Sequence, residues 1–248
     1  MILFRSLIYQ VFFIGTSILF SSAILLIGWM KPASAVSRLS RAWARSNLVA
    51  LRVICRLDYR LHDVDRLPRD PAIVLCKHQS AWEIIALRAL LPLEQTWVLK
   101  QELMHLPFFG WALRYLQPIA IDRSAGRRAV TKVIREGERL LGQGRWVIVF
   151  PEGTRVAPGT RRPYAIGGAL LAERTRCPVL PVAHNAGYFW GRRSLIKRPG
   201  TIDLVIGPLL SVQGMKATEI NAIAERWIES TVEKLPNPDD VQEFMQPD

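Results

Sequence analysis

The sequence predicts an α/β fold: a single mixed sheet flanked by helices, preceded by an N-terminal two-helix membrane anchor. Three observations carry this reading. Residues 7–30 are nearly all apolar, with no charge between Arg5 and Lys31. Short, continuously apolar runs recur later, at 72–76, 146–150 and 179–183. Segments of helical spacing separate them, and strands that are apolar throughout belong to a sheet covered on both faces.

The stretch 7–30 is long enough to cross a hydrocarbon core of ~30 Å as a helix. It is also longer than the ~7–15-residue apolar core of a secretion signal. Basic residues flank it on both sides, so charge does not orient it, and spanning or dipping in and returning both stay open. A second helix is predicted over 35–57. At 100° per residue, Arg38, Arg41, Arg45, Arg52 and Arg56 share a narrow face, while Val36, Leu39, Trp43, Ala50, Ile54 and Leu57 fall on another. Such a helix can lie in the headgroup plane with its arginines on lipid phosphates, or pack on a core with a solvated face. Its place directly after a spanning-length run favours the headgroup reading.

Beyond residue 57, strands are predicted at 72–76, 96–99, 118–121, 146–150, 179–183 and 201–206. Helices are predicted at 80–91, ending before Pro92, at 127–141, closed by Gly142 and Gly144, at 165–174 and at 217–235. The stretch 103–116, with Phe108, Phe109, Trp111 and Tyr115, fits an acyl-chain tunnel, the bilayer rim or plain core packing equally well. No internal repeat is visible. The chain divides into membrane-anchoring helices (1–57), one α/β domain (58–236) and a C-terminal tail (237–248).

A length of 248 residues, half of them hydrophobic, supports a sizeable core and excludes a disordered chain. The formal net charge of +12 calls for an anionic partner: nucleic acid, acidic lipid or a phosphorylated substrate. The basic residues are spread along the chain, and no zinc-finger or RNP-like pattern is present, so lipid and phosphate rank above nucleic acid. Cys55, Cys76 and Cys177 form no C-x-x-C pair and no even set, which fits a reducing compartment. The four histidines show no zinc spacing.

Three constellations carry chemistry. Lys77-His78-Gln79-Ser80-Ala81-Trp82-Glu83 follows a strand directly. Histidine is the natural general base near neutral pH, and a carboxylate on its other ring nitrogen would fix its tautomer. Residues five apart do not share a helix face, so His78 and Glu83 meet only if His78 lies in the turn and Glu83 reaches back from the first helical turn. Ser80 through Glu83 also matches a capping box, with Ser80 as N-cap. The cap and the dyad are both open to Glu83, and the two roles can coexist. Ser80 as a nucleophile has little support, since no nucleophile-elbow glycines surround it. Phe150-Pro151-Glu152-Gly153-Thr154-Arg155 also follows a strand; its glycine permits an anion-binding turn and Arg155 offers a planar fork for phosphate. An ordinary turn with a surface ion pair is the rival reading. Ile119-Ala120-Ile121-Asp122-Arg123 runs from a strand into charge, a weak signal in isolation.

In this order, and with Val179-Leu180-Pro181-Val182 as a fourth block, these segments resemble the glycerolipid acyltransferase family, specifically its bacterial 1-acyl-sn-glycerol-3-phosphate acyltransferases. The resemblance covers about residues 72–207. The Pro-Glu-Gly-Thr-Arg core stands unbroken at 151–155, and the family's His-x4-Asp stands as His78-x4-Glu83. Glutamate is one methylene longer, so the backbone must compensate for the pair to close. Lipid A late acyltransferases also carry His-x4-Glu but lack the unbroken 151–155 block.

The resemblance implies transfer of a fatty acyl group to the sn-2 hydroxyl of lysophosphatidic acid, with His78 as base and Glu83 as its orienting partner. Arg123, Glu152, Gly153, Thr154 and Arg155 would bind the acceptor's glycerol phosphate. It implies no metal, no covalent acyl-enzyme and no cofactor, with acyl-CoA or acyl carrier protein as co-substrate. Membrane lipid is the further partner. The expected location is the cell's inner membrane, with the active domain on the cytoplasmic side. Rival readings are an acyltransferase for another lysolipid, a thioester hydrolase, and a non-catalytic lipid-binding protein.

Overall fold

A computed structural model describes residues 1–30, 33–92 and 94–237; the tail expected from 237 lies, from residue 238 onward, outside them. Seven strands form one mixed sheet: β1 (Leu57–His62), β2 (Ile73–Cys76), β3 (Gln95–Lys100), β4 (Ile119–Ile121), β5 (Trp146–Val149), β6 (Val179–His184) and β7 (Gly200–Ile206). Their order is β1-β7-β6-β2-β5-β3-β4. Only β6 and β7 pair antiparallel, so β6, β2, β5, β3 and β4 all point their carboxyl ends to one edge.

The two faces follow the strand period. Val74, Cys76, Ile148, Leu180 and Val182 pack beneath α2 (Ala33–Cys55) and α3 (Trp82–Leu90). Ile73, Leu75, Val147, Val149 and Val179 face the opposite layer, formed with α5 (Arg127–Leu141), α6 (Gly167–Thr175) and α8 (Ala217–Val232). Every residue of β2 and β5 is buried, which is why these strands read as unbroken apolar runs. Pro181 sits inside β6 without disrupting it, because pairing with β7 begins only at Val182; the Pro181 carbonyl still accepts from the Gly207 N–H at 2.9 Å.

The first helix, α1 (Ile2–Ile27), has 26 residues and is long and apolar enough to cross a membrane. Its polarity is inverted relative to a soluble helix. Ser6, Tyr9 and Ser21 are buried against the protein, whereas Phe4, Val11, Leu19 and Leu26 are exposed. It is fastened near both ends. Ser6 accepts from the Lys197 N–H at 2.9 Å, and a side-chain carbon built on Gly28 would stand 2.6 Å from the Tyr115 ring just past α4 (Phe109–Arg114).

The second helix packs on the domain. Of its expected apolar face, Val36, Ala50 and Leu57 are buried and Trp43 and Ile54 pack partly against the core, whereas elsewhere on the helix Val49 and Val53 stay exposed. Arg38, Arg45, Arg52 and Arg56 do stay exposed, while Arg41 turns inward to donate to the Leu91 carbonyl. Leu57 leaves the helix for β1, and Arg56, in the left-handed region at φ 54°, makes the break. The last helix stops at Val232 rather than Leu235.

Candidate active site

The carboxyl ends of adjacent β2 and β5, in register from Ile73 opposite Val147 to Leu75 opposite Val149, deliver two turns to the same place. Crevices outside strand carboxyl ends are where open α/β sheets take ligands. Here main-chain hydrogen bonds join the turns. The His78 N–H donates to Glu152 Oε2 at 2.6 Å, and the His78 carbonyl accepts from the Val156 N–H at 2.8 Å.

Glu83, fully buried at the start of α3, makes the contacts of both readings that the sequence leaves open. Its Oε1 lies 2.8 Å from His78 Nδ1, and the carboxylate also accepts from the N–H groups of Gln79 and Ser80 at 2.8–3.0 Å. His78 indeed lies in the turn, and the longer glutamate reaches back to it. Ser80 stands just outside the helix, with its hydroxyl accepting from the Trp82 N–H at 3.1 Å, so the helix begins two residues later than expected. Burial alone would push the Glu83 carboxyl up. The His184 and His78 rings and the Ser80 N–H outweigh burial and hold it below its ordinary value.

A carboxylate only accepts hydrogen bonds, so the neutral His78 ring carries its proton on Nδ1 and keeps a lone pair on Nε2. The ring stacks on Phe150, with centroids 4.1 Å apart and planes 16° from parallel. It is 7% exposed, and it lines a cavity of ≈ 390 Å³. Arg123, Thr154 and Arg155 line the same cavity. Its walls are largely apolar, with Phe20 and Ile24 from α1, Trp97 from β3, and Leu103, Phe109 and Leu113 from the 103–116 stretch. That stretch thus faces the cavity on one side, while Leu106, Phe108 and Trp111 are exposed.

Two residues expected to touch the acceptor do not line this cavity. The side chain of Glu152 turns inward beneath His78, beside the Lys77 ammonium at 2.8 Å. Gly153 has φ +68° with open space around it, so glycine serves the turn's left-handed geometry rather than close packing.

Sequence reasoning missed a buried layer behind the dyad. Lys77 is 1% exposed, and its ammonium bridges Glu152 and Glu229 of α8, each at 2.8 Å. Tyr164 donates to the same Glu229 oxygen at 2.8 Å. Burial pushes Glu152 up to about 7, against the pull of Lys77. His184, fully buried, accepts on Nδ1 from the Ala186 N–H and donates from Nε2 to the Lys77 carbonyl at 2.9 Å, the pattern of a neutral ring. Burial holds its value below the ordinary one. Arg192 and Arg193 also line the cavity and were not foreseen. Among the described residues, no group of three His, Cys, Asp or Glu side chains is placed to hold a metal ion.

The family model described as Acyltransferase matches residues 58–185. A 1-acyl-sn-glycerol-3-phosphate acyltransferase of Pseudomonas aeruginosa is 41% identical over 197 residues, covering 78% of this chain and 76% of its own. The Saccharomyces cerevisiae protein of the same name is 26% identical over 196 residues, 77% of this chain and 64% of its own. The crystal structure of the 1-acyl-sn-glycerophosphate acyltransferase of Thermotoga maritima superposes with a TM-score of 0.78 at 22% identity, covering 94% of this chain and 95% of that one; at that identity the likeness is one of fold. The extent of the family match and the bacterial relative's identity together place this chain in the acyltransferase family.

Proposed function

We propose that this protein transfers a fatty acyl group from a thioester to the sn-2 hydroxyl of lysophosphatidic acid, forming phosphatidic acid. One observation carries the reading: His78, tied to Glu83 through Nδ1, lines the same cavity as Thr154, Arg155 and Arg123. A base and anion-binding groups share an opening whose walls are apolar, which suits an acceptor with one phosphate and one acyl chain.

In the proposed step, His78 Nε2 takes the proton of the acceptor hydroxyl as its oxygen attacks the thioester carbonyl. The imidazolium is stabilised by the Glu83 carboxylate. The tetrahedral oxyanion collapses, the C–S bond breaks, and the imidazolium returns the proton to the leaving thiolate. Arg155 and Arg123, neither paired with a carboxylate among the described residues, hold the acceptor phosphate. Glu152 acts from beneath by fixing the His78 main chain. The donor is acyl-CoA or acyl carrier protein.

The outward apolar face of α1 rests in the membrane, with the active domain on the cytoplasmic side. Fastening at Ser6 and at Gly28, ~33 Å apart along the helix at 1.5 Å per residue, favours membrane contact along its length over a perpendicular crossing clear of the domain.

The test is purified protein with labelled acyl-CoA or acyl carrier protein, offered lysophosphatidate or monoacylglycerol. Phosphatidate formed from the first, with little product from the second, is expected. Equal use of the phosphate-free acceptor, or thioester consumed at an undiminished rate without acceptor, would contradict the proposal.

A further inference from the structure

The carboxyl edge of the sheet orders its ligand-facing groups. Along it, β6 comes first, then β2 with His78, then β5 with Thr154 and Arg155, then β3, then β4 with Arg123. The acceptor-binding arginines proposed above therefore all leave strands on one side of His78. The chain leaving β6 passes through the short helix α7 (Ala186–Phe189) into a loop that brings Arg192 and Arg193 to the same cavity. Neither has an ion-pair partner among the described residues, and both are exposed at the rim, whereas Arg155 is half-buried.

This loop is held in place. The Trp190 ring packs edge-on against Tyr9 and Phe13 of α1, and its indole N–H donates to the Ser194 carbonyl at 3.1 Å. The buried Lys197 donates from its main chain to Ser6 and from its ammonium to Gln10 and to the Leu195 carbonyl. Arg193 is fixed in the left-handed region at φ 57°, a conformation that costs a non-glycine residue ~1–2 kcal/mol. Two guanidinium groups without an ion-pair partner among the described residues thus rise from a held loop after β6, on the other side of β2 from the strand that leads to Arg155.

We propose that Arg192 and Arg193 form a second anion subsite, which takes the phosphate of the acyl donor's phosphopantetheine arm. The inference rests on the reading of the site as a thioester-dependent acyltransferase. The acceptor hydroxyl must lie within reach of both His78 Nε2 and the thioester carbonyl, so two phosphate-bearing substrates meet at the base from different directions, and their anions are best held apart. The thioester sits a pantetheine arm away from its phosphate, so that phosphate belongs at the rim and not beside His78. Phosphopantetheine is common to acyl-CoA and acyl carrier protein, so the subsite serves either donor.

The test uses the full chain in detergent micelles. The double variant Arg192→Gln, Arg193→Asn removes both charges, and asparagine tolerates the left-handed backbone. Its KM for acyl-CoA and for acyl carrier protein is expected to rise about tenfold, the equivalent of ~1.4 kcal/mol. Turnover of acyl-pantetheine, which lacks phosphate, and the KM for lysophosphatidate should match the wild type. Lysine at both positions should recover much of the donor affinity. A rise confined to acyl-CoA would overturn the phosphopantetheine assignment, because it would place the contact on the nucleotide phosphates. An unchanged donor KM, a raised acceptor KM, or activity lost only on anionic vesicles with micelle kinetics intact would overturn the proposal, the last by making the pair a membrane contact. Should the wild type form no phosphatidate, the functional reading itself falls. Should it form phosphatidate while the variant matches it, only this subsite falls.

Discussion

The main-chain N–H of His78 points into the carboxylate of Glu152 at 2.6 Å, so the turn after β5 sets where the turn after β2 holds its imidazole. Glu152 is steadied in turn by Lys77, whose ammonium reaches Glu229 on α8. The candidate base is therefore tied to α8 through buried side chains.

Lys77→Met leaves two buried carboxylates without their shared cation. Breaking a buried pair in this way typically costs about 3–5 kcal/mol. Denaturant melts at pH 8 should show a loss of that order. At pH 5.5, where Glu152 takes up a proton, the loss should shrink. An equal loss at both pH values would mean that Glu152 does not titrate in this range.

Glu152→Gln tests the same group from the other side. The folded value of about 7 lies above the ordinary 4.5, so the fold binds a proton that the unfolded chain releases between these values. The wild type consequently loses stability from this group as pH rises from 4.5 to 7, and the loss levels off above 7. The variant's stability relative to wild type should climb between pH 5 and 7.5, then flatten. Glu83 and His184, both held below their ordinary values of 4.5 and 6.5, act oppositely and withdraw stability on acidification below those values. Both proteins keep them, so they cancel in the difference. A pH-independent offset would contradict the assignment.

Arg155→Lys keeps the charge at the cavity but loses the bidentate fork. The KM for lysophosphatidate should rise, with the KM for the donor and thermal stability near wild type. Steady-state kinetics with each substrate varied in turn separates this from a general loss of activity.

Val11 and Leu19 lie on the outer face of α1, 73% and 64% exposed. Lysine at the centre of a bilayer costs about 2.5–3.5 kcal/mol per residue. The double variant Val11→Lys, Leu19→Lys should shift the protein from the membrane pellet towards the soluble fraction on ultracentrifugation, with its unfolding transition unchanged. Retention in the pellet would argue against lipid contact along this face.

The parts legible in the sequence were those whose causes are local. β2 and β5 announce themselves because both faces are covered, and α5 runs over 127–141 as expected because its apolar stripe starts after Gly126 and stops at Gly142. The approach of His78 to Glu83 was foreseeable because a capping-box spacing puts the carboxylate beside the preceding turn. β1 was hidden. It is an edge strand of mixed polarity, Leu-Asp-Tyr-Arg-Leu-His, and Arg56 ends the preceding helix where glycine would have marked the turn. The contact of Lys77 with Glu229 joins residues 152 positions apart, and Arg192 and Arg193 reach the cavity from a loop that packs on α1. Spacing along a chain carries no signal for either.

The most direct measurement is phosphatidate formation by His78→Ala and by Glu83→Gln beside the wild type, with folding checked by the unfolding transition. If His78 is the base, alanine lowers kcat at least ~10²-fold with the acceptor KM little changed. Glutamine at 83, unable to stabilise an imidazolium, lowers kcat in the same direction. Folded His78→Ala protein turning over at the wild-type rate would contradict the account.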